Sequence, residues 1–111
     1  MSTEIPKELQ GKIQELQILE QNLQNILLQK QAFQLELNET DLALKELSKS
    51  KSDSYKILGN IMVKADNKEL TEELEEKKRV INLRIKTMDK QEISLGEKAN
   101  NLRQELQSKV K

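Results

Sequence analysis

Two heptad arrays mirror each other about Gly59, and this pattern limits the chain to very few folds. In the first array the a-type positions are Leu16, Leu23, Lys30, Leu37 and Leu44, and the d-type positions are Leu19, Ile26, Phe33, Thr40 and Leu47. The second has d-type Leu74, Ile81, Met88, Leu95 and Leu102, and a-type Thr71, Lys78, Ile85, Glu92, Ala99 and Leu106. When the chain is folded back so that paired residue numbers sum to about 118, every a position faces a d position, as antiparallel helices require. Leu16 then meets Leu102, Leu23 meets Leu95, Phe33 meets Ile85, and Thr40 shares a layer with Lys78. The reading is a mainly α fold. A long antiparallel two-helix coiled coil is joined by a short β-hairpin.

One domain over residues 1–111 is expected, with the first helix at about 6–50, the hairpin at 55–64 and the second helix at about 67–109. Pro6 suits a first helical turn, where its missing N–H is harmless. The polar stretch at residues 48–54 ends the first helix. Asp66 with Glu69 three residues on forms a capping box, and Glu69, Glu72 and Glu73 complement the helix dipole. Helices of about 40 residues reach about 60 Å.

Between the helices the period changes. Two short β-prone runs flank Gly59-Asn60, and glycine at the first central position fits a type II′ hairpin turn. Alternation sets Tyr55 and Ile57 on one face and Leu58 on the other. A plain helical hairpin does not need this insert. Isolated two-stranded hairpins are marginal in water, and this one carries apolar side chains on both faces. A bland reading docks it on its own helices. A sharper one pairs it with hairpins of other subunits, through Tyr55, Ile57, Leu58, Gly59, Asn60, Ile61, Met62 and Val63. The single seam is a small core for the length of chain it must order, which favours assembly.

The far end is the second unusual feature. The seam stays apolar up to the termini, where coiled coils often fray: Leu9 lies near Val110, Ile13 near Leu106 and Leu16 near Leu102. An ordinary coiled-coil terminus explains this, and so does a soft hydrophobic clamp for exposed apolar segments of other chains.

Chemistry is limited by what is missing. The chain has no histidine and no cysteine, which removes the usual nucleophile–base pairs, the common zinc sites and disulfides. No phosphate-binding glycine loop occurs, so no cofactor and no metal is expected, and an enzyme is disfavoured. Charged residues make up 34% of the chain but balance to zero, so bulk charge favours neither nucleic acid nor an anionic membrane. No apolar run approaches membrane-spanning length and no signal-peptide core follows Met1, which points to a cytoplasmic protein. The acidic run at 72–76 and the basic run at 77–79 read as i,i+4 pairing, such as Glu73 with Lys77 and Glu75 with Arg79. The glutamines, gathered mostly on the first helix, read as solvated surface. Lys30 and Glu92 stand one layer apart and are expected to reach each other diagonally, a break that sets register more than it adds stability.

The hairpin pattern of Tyr55, Lys56, Gly59, Asn60, Val63 and Lys64, followed by the acidic helix start Glu69–Lys77, resembles the archaeal-type β subunit of the prefoldin family. The resemblance covers essentially the whole chain. It implies a hexamer of two α and four β subunits, with the hairpins in a double β-barrel platform and the coiled coils hanging from it. It also implies an ATP-independent chaperone that holds non-native polypeptides at the coiled-coil tips and hands them to a group II chaperonin. On this chain the client-binding tip would be Ile5, Leu9, Ile13, Leu16, Leu102, Leu106 and Val110. Two rivals remain at this stage. A structural or adaptor coiled coil would dock one specific folded partner. A nucleic-acid-binding arm would need a basic stripe, and the positions outside the seam mix both signs.

Overall fold

The computed structural model describes residues 6–110. Its order is α1 (Lys7–Lys49), β1 (Ser54–Leu58), β2 (Ile61–Ala65) and α2 (Asn67–Val110). The fold is mainly helical with a two-stranded antiparallel hairpin between the helices, in agreement with the heptad reading.

Chain contacts divide the protein into two compact units. One joins α1 up to Lys30 with α2 from Thr87, and the other runs over Gln31–Lys86. Within each, the helices pair antiparallel. In the first unit Arg103 reaches Glu20 at 3.1 Å and Lys109 reaches Glu8 at 3.3 Å. In the second, Lys78 reaches Asp41 at 2.9 Å and Lys77 reaches Glu36 at 3.3 Å.

Heptad spacing decides burial. Every a and d position named above is half-buried or buried, whereas most residues between them are exposed. A narrow a/d stripe is all that a two-helix seam can shield. The deepest side chains are Ala99 and Leu102 in the first unit and Thr40 and Ile81 in the second. Phe33 is half-buried, with the Arg84 guanidinium over its ring, 5.6 Å from the centroid.

The polar layers are satisfied locally. Thr40 is 3% exposed, and its hydroxyl donates to the Glu36 carbonyl one turn back at 2.8 Å, so its burial leaves no unpaired group. Lys78 leaves the seam for Asp41, whose carboxylate raises the lysine's pKa. Lys30 reaches Glu92 at 2.6 Å, the diagonal pair read from the sequence, and also Asp89 at 2.7 Å. Asp89 and then Glu92 hold the Lys30 ammonium above the usual lysine range.

Two expected pairs are corrected. Glu73 does not take Lys77: it accepts from Lys56 of the hairpin at 2.8 Å, while Lys77 crosses to Glu36. Arg79 is held by Glu76, not Glu75, through its Nε at 3.0 Å and its Nη2 at 2.6 Å. The i,i+3 position lets the flat guanidinium meet both carboxylate oxygens at once.

Candidate functional site

The connector is built by its turn. Gly59 has a φ of 60°, and among the described residues no other position has positive φ. That is the type II′ requirement; a type I′ turn would need positive φ at Asn60 as well. The turn fixes the register, with Leu58 opposite Ile61, Ile57 opposite Met62, Lys56 opposite Val63, Tyr55 opposite Lys64 and Ser54 opposite Ala65. Directly paired residues share a face. Tyr55, Ile57, Met62 and Lys64 therefore line one side, and Lys56, Leu58, Ile61 and Val63 the other.

Docking of this hairpin on its own helices is overturned. Tyr55, Ile57, Leu58, Ile61, Met62 and Val63 are between 43% and 70% exposed. Polar ties hold its base instead: Lys56 to Glu73, Lys64 to Asp53 at 3.4 Å, and the Asn67 side-chain amide donating to the Ser52 carbonyl at 3.3 Å. The Asp66 carbonyl accepts the Leu70 N–H at 2.9 Å as α2 begins. The sheet has two strands only, so each keeps an outer edge without a strand partner among the described residues. Apolar faces with open edges are the features that drive strand addition.

The helix ends are covered differently. Leu9, Ile13, Leu16 and Leu106 are half-buried and Leu102 is buried, so the tip residues lie in the seam rather than on the surface. Ile5 falls outside the described residues, as does the side chain of Val110. Over this seam lies an ionic clasp that the sequence reading missed. Lys12 bonds Glu105 and reaches Glu8 at 3.6 Å, while Lys109 reaches Glu8 at 3.3 Å and Glu105 at 3.7 Å. The Lys12 ammonium holds the Glu105 carboxyl below the usual carboxylate range, Lys109 does the same for Glu8, and Lys12 is itself raised, chiefly by Glu105. Glu8, Glu105 and Lys109 are exposed and Lys12 is half-buried; pairs so open to water are individually weak and screened by salt.

Sequence reasoning also missed apolar residues outside the seam. Ile18, Leu28, Leu35 and Leu42 on α1 and Leu83 and Ile93 on α2 are all at least 50% exposed. The seven-residue spacing of Leu28, Leu35 and Leu42 was a usable signal, because it places them on the position opposite the seam. Among the described residues no helix is long and apolar enough to cross a membrane.

Two long helices that bury one stripe, joined by a hairpin that buries almost nothing, are an unusual combination, and they are shared. Residues 10–111 match the family model described as "Prefoldin subunit". The chain belongs to the prefoldin subunit family. It is 37% identical over 107 residues to prefoldin subunit beta of Archaeoglobus fulgidus, covering 95% of this chain and 92% of that protein. Prefoldin subunit beta of Thermococcus onnurineus is 36% identical over 109 residues, covering 96% and 94%. The crystal structure of the prefoldin beta subunit from Thermococcus strain KS-1 superposes with a TM-score of 0.87 at 32% identity, covering 99% of this chain and 98% of that one. The prefoldin family is one of chaperone subunits rather than enzymes.

Proposed function

We propose that the chain is the β-type subunit of a nucleotide-independent holding chaperone in the cytoplasm. The observation that carries this reading is the placing of apolar surface. It lies open on the hairpin, and at the helix ends it is held in the narrow two-helix seam beneath an ionic clasp. The hairpin joins sister subunits and an α-type partner, two α with four β, by strand addition into a β-barrel platform. Tyr55, Ile57, Leu58, Ile61, Met62 and Val63 supply its packing, and Gly59-Asn60 its turn. Ends held by weak pairs open readily and present Leu9, Ile13, Leu16, Leu102 and Leu106; Ile5 and Val110 join this set from the sequence. Non-native polypeptide is held by burial of apolar surface, worth roughly 25 cal/mol per Å² before ordering costs are subtracted. No step requires bond making, so no cofactor is used. The held chain is then passed to a group II chaperonin.

Deleting residues 1–10 and 104–111 tests the role of the ends. Suppression of aggregation of a denatured model client, measured without nucleotide, is expected to disappear while the oligomer persists. Undiminished suppression would refute the tip as the holding site. Saturable binding to one folded protein, with no preference for unfolded chains, would favour an adaptor instead.

A further inference from the structure

In the first unit the seam opens on one flank into a groove of about 520 Å³, within the roughly 300–1,000 Å³ range of ligand pockets. Its walls are Asn22, Asn25 and Gln29 from α1 and Gln91 and Ser94 from α2, and its floor is Ile26 and Leu95. No lining residue is charged, in a chain that is 34% charged. Elsewhere in this unit, ion pairs such as Glu20 with Arg103 and Lys12 with Glu105 bridge the two helices. Here shorter uncharged side chains replace such pairs and leave the two half-buried floor residues reachable. The wall residues are exposed, and among the described residues none of their side chains is tied up in a hydrogen bond.

We propose that this groove binds an extended, uncharged polypeptide segment, a second holding site beside the helix ends; the inference rests on the chaperone reading above. A side-chain amide carries the same donor and acceptor groups as a peptide link. Asn22, Asn25, Gln29 and Gln91 therefore offer both partners that a main chain needs, without asking for any particular sequence. Ile26 and Leu95 receive one aliphatic side chain. A charged segment would lose hydration against walls that return no counter-charge. A folded partner or second copy is disfavoured by size, because a stable protein interface buries roughly 1,200 Å² or more and seven lining residues supply far less.

The test uses the full-length chain and a capped, fluorescein-labelled nonapeptide of Gly, Asn and Leu with no charged side chain, followed by anisotropy. The Gln29→Glu, Gln91→Glu double variant and, separately, Ser94→Arg are each expected to weaken binding roughly tenfold, with melting curves matching the parent. N-methylation of alternate peptide main-chain amides should weaken binding to the unaltered chain to a similar degree, a result that needs no variant to fold. A Leu9→Ser, Leu106→Ser variant, made at the helix ends, should keep a groove-dependent part of the binding that added Ser94→Arg then removes. If affinity follows the tip variant and ignores the groove variants and N-methylation, the groove is overturned while the chaperone reading stands. If the parent does not bind the nonapeptide, the groove is again overturned, and aggregation suppression by the same sample decides the chaperone reading separately.

Discussion

Glycine plays opposite parts at different positions in this chain. A Cβ built at Gly11, Gly59 or Gly96 meets nothing within 4 Å, so sterics with neighbours do not distinguish them. Backbone conformation does. Gly11 and Gly96 lie inside helices, where glycine is less favourable than alanine by about 1 kcal/mol. Gly59 holds a φ of 60°, where a Cβ costs about 1–2 kcal/mol. Gly11→Ala and Gly96→Ala are expected to raise stability by about 0.5–1 kcal/mol each in urea titrations, and Gly59→Ala to lower it and broaden the hairpin amide signals. A rise for Gly59→Ala would mean that the turn is not type II′. Lys30 supplies a second residue-scale case. Its ammonium sits between Asp89 and Glu92 at a seam position. Apolar replacement of both seam members removes a half-buried pair, whereas removing one leaves the other in the seam without its partner. Lys30→Leu with Glu92→Leu should raise the melting temperature by several degrees while loosening register, read as less selective disulfide trapping between cysteines at positions 23 and 95. Lys30→Leu alone should lower it. A large loss in the double variant would show that the ionic layer stabilises the seam outright.

At the scale of an element, the helix ends depend on pH through the clasp. Glu8 and Glu105 have lowered pKa values in the folded chain. Their contribution is complete above the unfolded carboxylate value of about 4.3 and is lost as pH falls through the lower folded values. Lys12 is raised, so its contribution is complete below about 10.4 and is lost as pH rises through its folded value. The clasp is therefore whole between about pH 5 and 10. Protection of end amides, residues 7–13 and 105–109, from hydrogen exchange should fall below pH 4, and 1 M salt should lower it at neutral pH. Lys12→Met should flatten both responses. Protection unchanged at pH 3 would mean that the ends close without their charges. None of this was readable beforehand. Heptads declare which face is buried, and so the seam and the place of the hairpin were legible from Leu16 to Leu106. They do not declare which of several carboxylates a long lysine or arginine selects. Glu73 turned to Lys56 and Arg79 to Glu76 because the hairpin and the local helix geometry brought those groups nearer. The same limit hid the clasp. The amide groove escaped because glutamine and asparagine look like solvated surface until the opposing helix is in place.

At the scale of the whole molecule, the proposed assembly rests on the hairpin. Net charge is zero, so no long-range repulsion opposes association. The hairpin supplies six largely exposed apolar side chains and two open strand edges. Its two faces can be tested apart from its fold. Ile57 and Met62 stand directly opposite each other and are 70% and 66% exposed, so lysines there meet water in the monomer, keep the turn and leave the ladder hydrogen bonds in place. Within an assembled sheet the same two lysines would lie side by side and be desolvated, which is prohibitive. Ile57→Lys with Met62→Lys should sediment as a monomer, both alone and with an α-type partner, while the parent chain with that partner sediments as a larger species. Helical content by circular dichroism should match the parent's at low temperature, because the variant's seam is intact. Thermal stability should fall, because a two-stranded hairpin without neighbours is marginal and the seam alone then holds the helices. Lysines that leave the assembled mass unchanged would place the subunit contact elsewhere, and the exposed face of the hairpin would need another occupant.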